Sequence, residues 1–283
     1  MTDEIPSVNN SSPKTSLISR WQQYRQQKKE KRLKHLKMQP LACFEHLIKT
    51  AELIAETNPH GLVDLVRAIL RPLQSEYLLG VAERGQDALP TIESDAFFGE
   101  AVCERMFTAD GMNWRGVSLE VKAFSLRLSR DTILPWAWSF RRYVDALATI
   151  GSSKALTSGR EWNRAYQGPW CQDENHRVEL WLPWGIGFIN GGNHSITAGI
   201  LAGEGEITPS YVYDMGYLLD ELHCDGKYYF DTRTGVRITP VKDARRAAVF
   251  EIGRIMRDMN FPAFKSETKL AYASSDAKES HIV

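Results

Sequence analysis

Cysteine is sparse in this chain, and no two cysteines stand close together. The four in 283 residues, Cys43, Cys103, Cys171 and Cys224, include no Cys-x-x-Cys pair. That pattern excludes a disulfide framework and a zinc ribbon, and it suits a reducing compartment. Cys171, His176, His223 and Cys224 are ligand types that zinc accepts, but none has the usual two-residue spacing, so they read as unrelated loop and hairpin residues. Long hydrophobic runs are missing too. Nothing approaches the roughly 18 apolar residues that a spanning helix needs, and the polar stretch Met1 to Ser12 lacks a signal-peptide core. A cytoplasmic protein with no membrane partner is therefore expected. Nor is there an excess of either charge: 35 basic and 35 acidic residues cancel, so any affinity for nucleic acid has to be local.

What is present is a 43% hydrophobic content, enough to bury a core in one large or two modest domains. The expected organisation is a disordered tail over 1–15, a helical region with a basic arm over 16–110, an α+β mixed-sheet domain over 111–265, and a second disordered tail over 266–283. The arm, Ser16 to Met38, carries Arg25, Lys28, Lys29 and Arg32 among its cations and a broken apolar stripe that includes Trp21 and Tyr24. It reads either as a nucleic-acid contact or as a solvated helix whose stripe docks on its own domain. Helical periodicity then runs from Leu41 to Ile54 and from Leu62 to Leu73, where Pro72 should bend or break the second helix. Arg84 to Ser94 reads as a loop, and a further helix over Ala96 to Met106 ends at the Asp110-Gly111 turn.

After Gly116 the pattern changes to alternation over Leu119 to Leu128, with a slip at Ala123-Phe124 that suggests a bulge or turn. A helix is expected over Trp136 to Ile150, with Arg141 and Arg142 on its polar face, followed by an insertion or lid loop over Gly151 to Asp173. Strands at Arg177 to Leu182 and Gly185 to Ile189, a helix to about Leu201 and a strand at Tyr211 to Asp214 complete a β-α-β-β-α-β order. Asp225-Gly226 predicts a hairpin, and Asp243 a cap on the last helix.

Within that order, Asn190-Gly191-Gly192-Asn193-His194-Ser195 joins an apolar strand to a helix start. Backbone N–H groups and the helix dipole converge at such a junction, a common way to hold a phosphate. The N–H groups of Gly191 to His194 would form the cradle. Asn190, Asn193, Ser195 and Thr197 would add side-chain hydrogen bonds, and His194 is the one group there able to move a proton near neutral pH, hence the catalytic candidate if the chain is an enzyme. The bland alternative is a tight turn in which the glycines supply positive φ and Asn193 or Ser195 caps the helix.

On these residues, Leu119 to Asp214 resembles the core of the ParB/sulfiredoxin-like superfamily, about a third of the chain. The resemblance implies a mixed-sheet fold and a nucleotide or nucleic-acid phosphate at the glycine turn. Sulfiredoxins carry Gly-Gly-Cys-His-Arg there. This sequence has Asn193 in place of the cysteine, which excludes attack on a phosphorylated sulfinate, and Ser195 in place of the arginine, which removes a bidentate phosphate fork. Arg141 or Arg142 could supply the lost cation, since the resemblance brings their helix near the turn. The whole chain also resembles an uncharacterised bacterial family with the same Gly-Asn-His-Ser signature, which implies no activity.

Three functions stay open. The first is a phosphate-binding domain whose only implied cofactor is a nucleotide with Mg²⁺. The second is a non-enzymatic module acting on DNA or a protein through the basic arm. The third, a metal-dependent nuclease or nucleotide hydrolase, needs Asp214, Asp220 or Glu221 beside His194. Whether any reaction is catalysed is undecided at this level. Tryptophans between Trp114 and Trp184 would pack in the core or stack on bases.

Overall fold

Apolar periodicity turns from helical to alternating near residue 116, and the architecture follows that change. The computed structural model describes residues 21, 23–28, 40–85, 93–154 and 167–259. Residues 21 and 23–28 are helical and exposed, with the Arg25 guanidinium 3.9 Å from the Trp21 ring centroid. Trp21 and Tyr24 thus remain in solvent instead of docking on the domain. Lys29 and Arg32, both expected tails and most of the 84–94 and 151–173 loops lie outside the described residues.

Helices α1 (Pro40–Thr57) and α2 (Gly61–Arg84) match the expected helical region, except that α2 runs unbroken through Pro72. An internal proline costs about 3 kcal/mol through a lost N–H bond and crowding of the preceding turn. Here Leu62, Val66 and Leu70 before it and Tyr77, Leu78 and Val81 after it are all buried, so packing on both sides outweighs the break. Helix α3 (Glu100–Met106) starts later than expected, after Gly99 at φ 102°.

The alternating stretch is not one strand. β1 (Val117–Ser118) and β2 (Leu126–Arg127) join different sheets, separated by a 3-10 turn at Val121–Ala123 that accounts for the slip in the pattern. An unexpected strand, β3 (Thr132–Leu134), follows. Helix α4 (Phe140–Thr149) then begins four residues later than expected, because Ser139 is its N-cap and accepts the Arg142 N–H at 3.5 Å. The remainder is β4 (Arg177–Leu182), β5 (Ile186–Gly191), α5 (Asn193–Ala202), β6 (Glu206–Ile207), β7 (Tyr211–Asp214), α6 (Tyr217–Glu221), β8 (Leu222–Cys224), β9 (Tyr228–Asp231), β10 (Arg237–Pro240) and α7 (Ala244–Asp258). The Asp225-Gly226 hairpin joins β8 to β9 as expected, and Asp243 caps α7 by accepting the Arg245 and Arg246 N–H groups.

The fold is α+β. Its main sheet has the order β1-β7-β4-β5-β3, with β4 antiparallel to β5 and the pairs β3/β5 and β4/β7 parallel. One face buries Trp184 and Phe188 against Phe44, Leu70 and Phe250, so α1, α2 and α7 share a core with the sheet. The other buries Ile133, Val178 and Leu180 against α4 and α5 through Ala146, Ile150, Ile196 and Ile200. Edge strand β3 is closed by α2, where buried Gln74 donates from Nε2 to the Ile133 carbonyl at 2.7 Å.

Candidate phosphate cleft

Parallel strands β3 and β5 each feed a helix on the same face, so the starts of α4 and α5 emerge side by side at one end of the sheet. Antiparallel β4 begins at that end, with Arg177 opposite Gly191. A cleft of about 420 Å³ opens there, lined by Trp138, Arg142, Asp173, Asn175, His176 and Arg177 together with Asn190 to Ser195.

The glycine turn has two structural reasons to exist. Gly192 is the N-cap of α5 at φ 77° and ψ 18°, the left-handed region that L side chains avoid. A Cβ on Gly192 would also collide with the His176 ring, and one on Gly191 with the Asn175 carbonyl. Gly192 has no side chain to cap with, and among the described residues no side-chain hydrogen bond caps the start of α5. The first-turn N–H groups of Asn193, His194 and Ser195 are therefore without helical acceptors beside the cleft.

The signature side chains are directed elsewhere. Asn193 Oδ1 accepts the Trp136 N–H at 2.6 Å, and His194 Nε2 accepts the Ser139 N–H at 3.0 Å. Both residues thus tie the start of α5 to the segment leading into α4. With Nε2 occupied as an acceptor, His194 is neutral and carries its proton on Nδ1. Burial, helped by the Arg142 charge, lowers its pKa to about 4. The expected proton mover near neutrality is instead a tether, because burial and that hydrogen bond both favour the uncharged ring. Asn190 donates from Nδ2 to Glu179 at 2.5 Å, and burial raises the Glu179 pKa. Ser195 lines the cleft, and its carbonyl accepts the Trp170 indole N–H at 3.0 Å. Thr197 is a correction: it is buried in the helix interior off the cleft lining, and its hydroxyl has no partner among the described residues.

The two candidate arginines separate. Arg142 lines the cleft with its guanidinium 5.1 Å from the Trp138 ring centroid, and the Trp138 ring meets His194 edge-on at 5.3 Å. Arg141 is off the cleft lining, with a side chain 85% exposed and 4.0 Å from Asp145. Arg177, absent from the sequence expectations, lines the opposite side. No carboxylate of the described residues lies within ion-pair distance of Arg142 or Arg177. Asp173, a lining carboxylate, is turned toward its own loop, accepting the Asn175 N–H at 2.8 Å and lying 3.0 Å from His176 Nδ1. Counting outward from the tight β4–β5 turn sets Arg177 opposite Asn190, and a bulge between Arg177 and Val178 moves it one residue on, to Gly191. That register is the signal in the sequence that pointed to it.

The carboxylates required for a nuclease are not here. Asp214 pairs in register with Leu182, at the far end of β4 from Arg177, about 17 Å along the strand. Asp220 and Glu221 follow in α6, bound to Arg257 at 2.7 Å and Arg115 at 2.6 Å. Among the described residues no three His, Cys, Asp or Glu side chains gather as a metal site, and no helix is long and apolar enough to cross a membrane.

Over residues 18–263 the chain matches the "Family of unknown function (DUF6710)", and it belongs to that family. No curated protein and no solved structure matches it.

Proposed function

For this member of a family of unknown function, we propose that the cleft at the start of α5 binds the phosphate of a nucleotide or of a nucleic acid. One observation carries the reading: an uncapped helix N-terminus opens between Arg142 and Arg177, neither of which has a carboxylate partner among the described residues. Free N–H groups and the positive end of the dipole favour an anion there, and the guanidinium groups add charge-assisted hydrogen bonds. The resemblance of Leu119 to Asp214 to the ParB/sulfiredoxin-like core supports the same ligand, with Arg142 in the role of the arginine that Ser195 replaces. His194, neutral and tethered, favours binding over acid–base chemistry.

The test is melting of the full chain with inorganic phosphate and with each nucleotide, with and without Mg²⁺. Ligand at a hundredfold its Kd stabilises the protein by about 2.7 kcal/mol. Arg142→Glu is expected to weaken binding at least tenfold, and Arg141→Glu to change it less than twofold. No shift with any of these ligands would sink the proposal.

A second reading, a DNA or protein contact through the basic arm, is favoured by the exposure of Trp21, Tyr24, Arg25 and Lys28. It predicts salt-dependent DNA binding that disappears when residues 1–37 are deleted.

A further inference from the structure

A second cavity, of about 250 Å³, lies between the turn before α3, strand β9 and the β10–α7 connection, and it shares no lining residue with the phosphate cleft. Phe97, Phe98, Tyr229, Pro240 and Val241 give it a largely apolar wall. That wall is braced on the core. Phe97 meets Phe98 edge-on at 5.0 Å between centroids, Phe98 lies 4.6 Å from Trp184, and Tyr229 meets Phe250 edge-on at 5.6 Å. The charged lining residues balance. Glu100 and Lys242 are exposed at the mouth, Asp243 caps α7, and Arg246 donates to the Phe97 carbonyl at 3.3 Å. One polar group of the wall is unmet. Tyr229 is 3% exposed, and its hydroxyl makes no hydrogen bond with any described residue. Unlike the unpartnered hydroxyl of Tyr217, it is not sealed in: it keeps accessible surface, and the cavity is the open space that Tyr229 lines. Burial holds the phenol protonated, so it can donate as well as accept. Leaving such a group unmet costs about 1–3 kcal/mol, which a polar ligand atom would offset.

We propose that this cavity binds a small uncharged aromatic molecule with one hydrogen-bonding group, of the phenol or indole class, held by the Tyr229 hydroxyl. Size sets the class: an apolar cavity of about 150 Å³ takes up benzene, so about 250 Å³ admits one ring or two fused rings. Balanced charges select neither an anion nor a cation, and the Phe97 and Phe98 rings favour a flat apolar partner. The site is independent of the phosphate reading of the cleft.

Tyr229→Phe separates this role from packing, because it keeps the ring and removes only the oxygen. In calorimetric titration of the full chain, indole and phenol are expected to bind the wild type and to bind the variant about five- to tenfold more weakly. Affinity for toluene, which has no hydrogen-bonding group, should stay within about twofold. With no partner to lose, the variant should melt no lower than the wild type. A lower melting temperature would show that the hydroxyl is bonded within the protein and overturns the assignment. Unchanged affinity for indole and phenol in Tyr229→Phe overturns it too, as does absence of binding by the wild type. Should the variant not fold, nuclear Overhauser contacts of indole with the wild-type chain decide. Contacts to the Phe98 and Tyr229 ring protons support the site, and their absence overturns it.

Discussion

The two ends of the central sheet treat charge in opposite ways. At the end where β4 finishes, cations meet anions. Arg115 grips both oxygens of Glu221 at 3.0 and 2.6 Å, Arg257 holds Asp220 at 2.7 Å, and Arg254 binds Glu251 at 2.8 Å and the Leu222 carbonyl at 2.6 Å. These bonds fasten α6 to the segment before β1, and α7 to α6 and β8. Where β4 begins, Arg142 and Arg177 line the cleft with no carboxylate partner among the described residues, Asp173 being turned toward its own loop, and Asn193 and His194 accept backbone N–H groups. Neutralised charge marks the structural end, and retained positive potential marks the end able to recruit an anion.

The largest expected disturbance of this contrast comes from Gly192→Ala. It places a Cβ in the left-handed region and against a buried ring, so stability should fall by about 3 kcal/mol in urea unfolding and phosphate binding should go with it. A loss below about 0.5 kcal/mol would show that the turn relaxes and that the glycine is not required. Acid is expected to act next, again at the cleft end. The folded-state pKa of His194, about 4, is below its ordinary 6.5, so the unfolded chain holds more protons in between. This stabilisation is complete above pH 6.5 and is lost as pH falls through 4, by roughly 2 kcal/mol once partial solvent screening is allowed for. Comparing urea midpoints at pH 7 and pH 4 measures it, and a His194→Gln chain with an unchanged slope would assign the effect elsewhere. The smallest effect belongs to the paired end. Glu221→Gln should cost about 1 kcal/mol, because each partner is about a third exposed, and leave phosphate affinity within twofold. A binding defect in that variant would erase the distinction between the two ends.

Features set by neighbouring residues were legible in the sequence. The β4–β5 strands, the glycine turn, the Asp225-Gly226 hairpin and the Asp243 cap each depend on a few adjacent positions. Features set by distant contacts were not. Pro72 lies inside a helix because residues on either side of it are buried in the core. Residues 136–139 stay out of α4 because Asn193 and His194, more than fifty positions away, hold their N–H groups. The cleft lining divides in the same way: Asn190 to Ser195 and Arg142 were singled out from the chain, together with Arg141, which is off the lining, whereas Arg177 and His176 arrive through strand register and loop packing. Thr197 looked available because helical spacing alone does not reveal which face the core covers.

The two tethers also change what counts as one cooperative unit. Asn193 and His194 each lend a lone pair to a backbone N–H of the preceding βα connection. By sequence, the amides of Trp136 and Ser139 belong to a connecting segment; by energetics they belong to α5, since they lose their acceptors only when the start of that helix lets go. The connection into α4 therefore opens at the free energy of its neighbour's first turn, and the two helix starts loosen or hold as a pair.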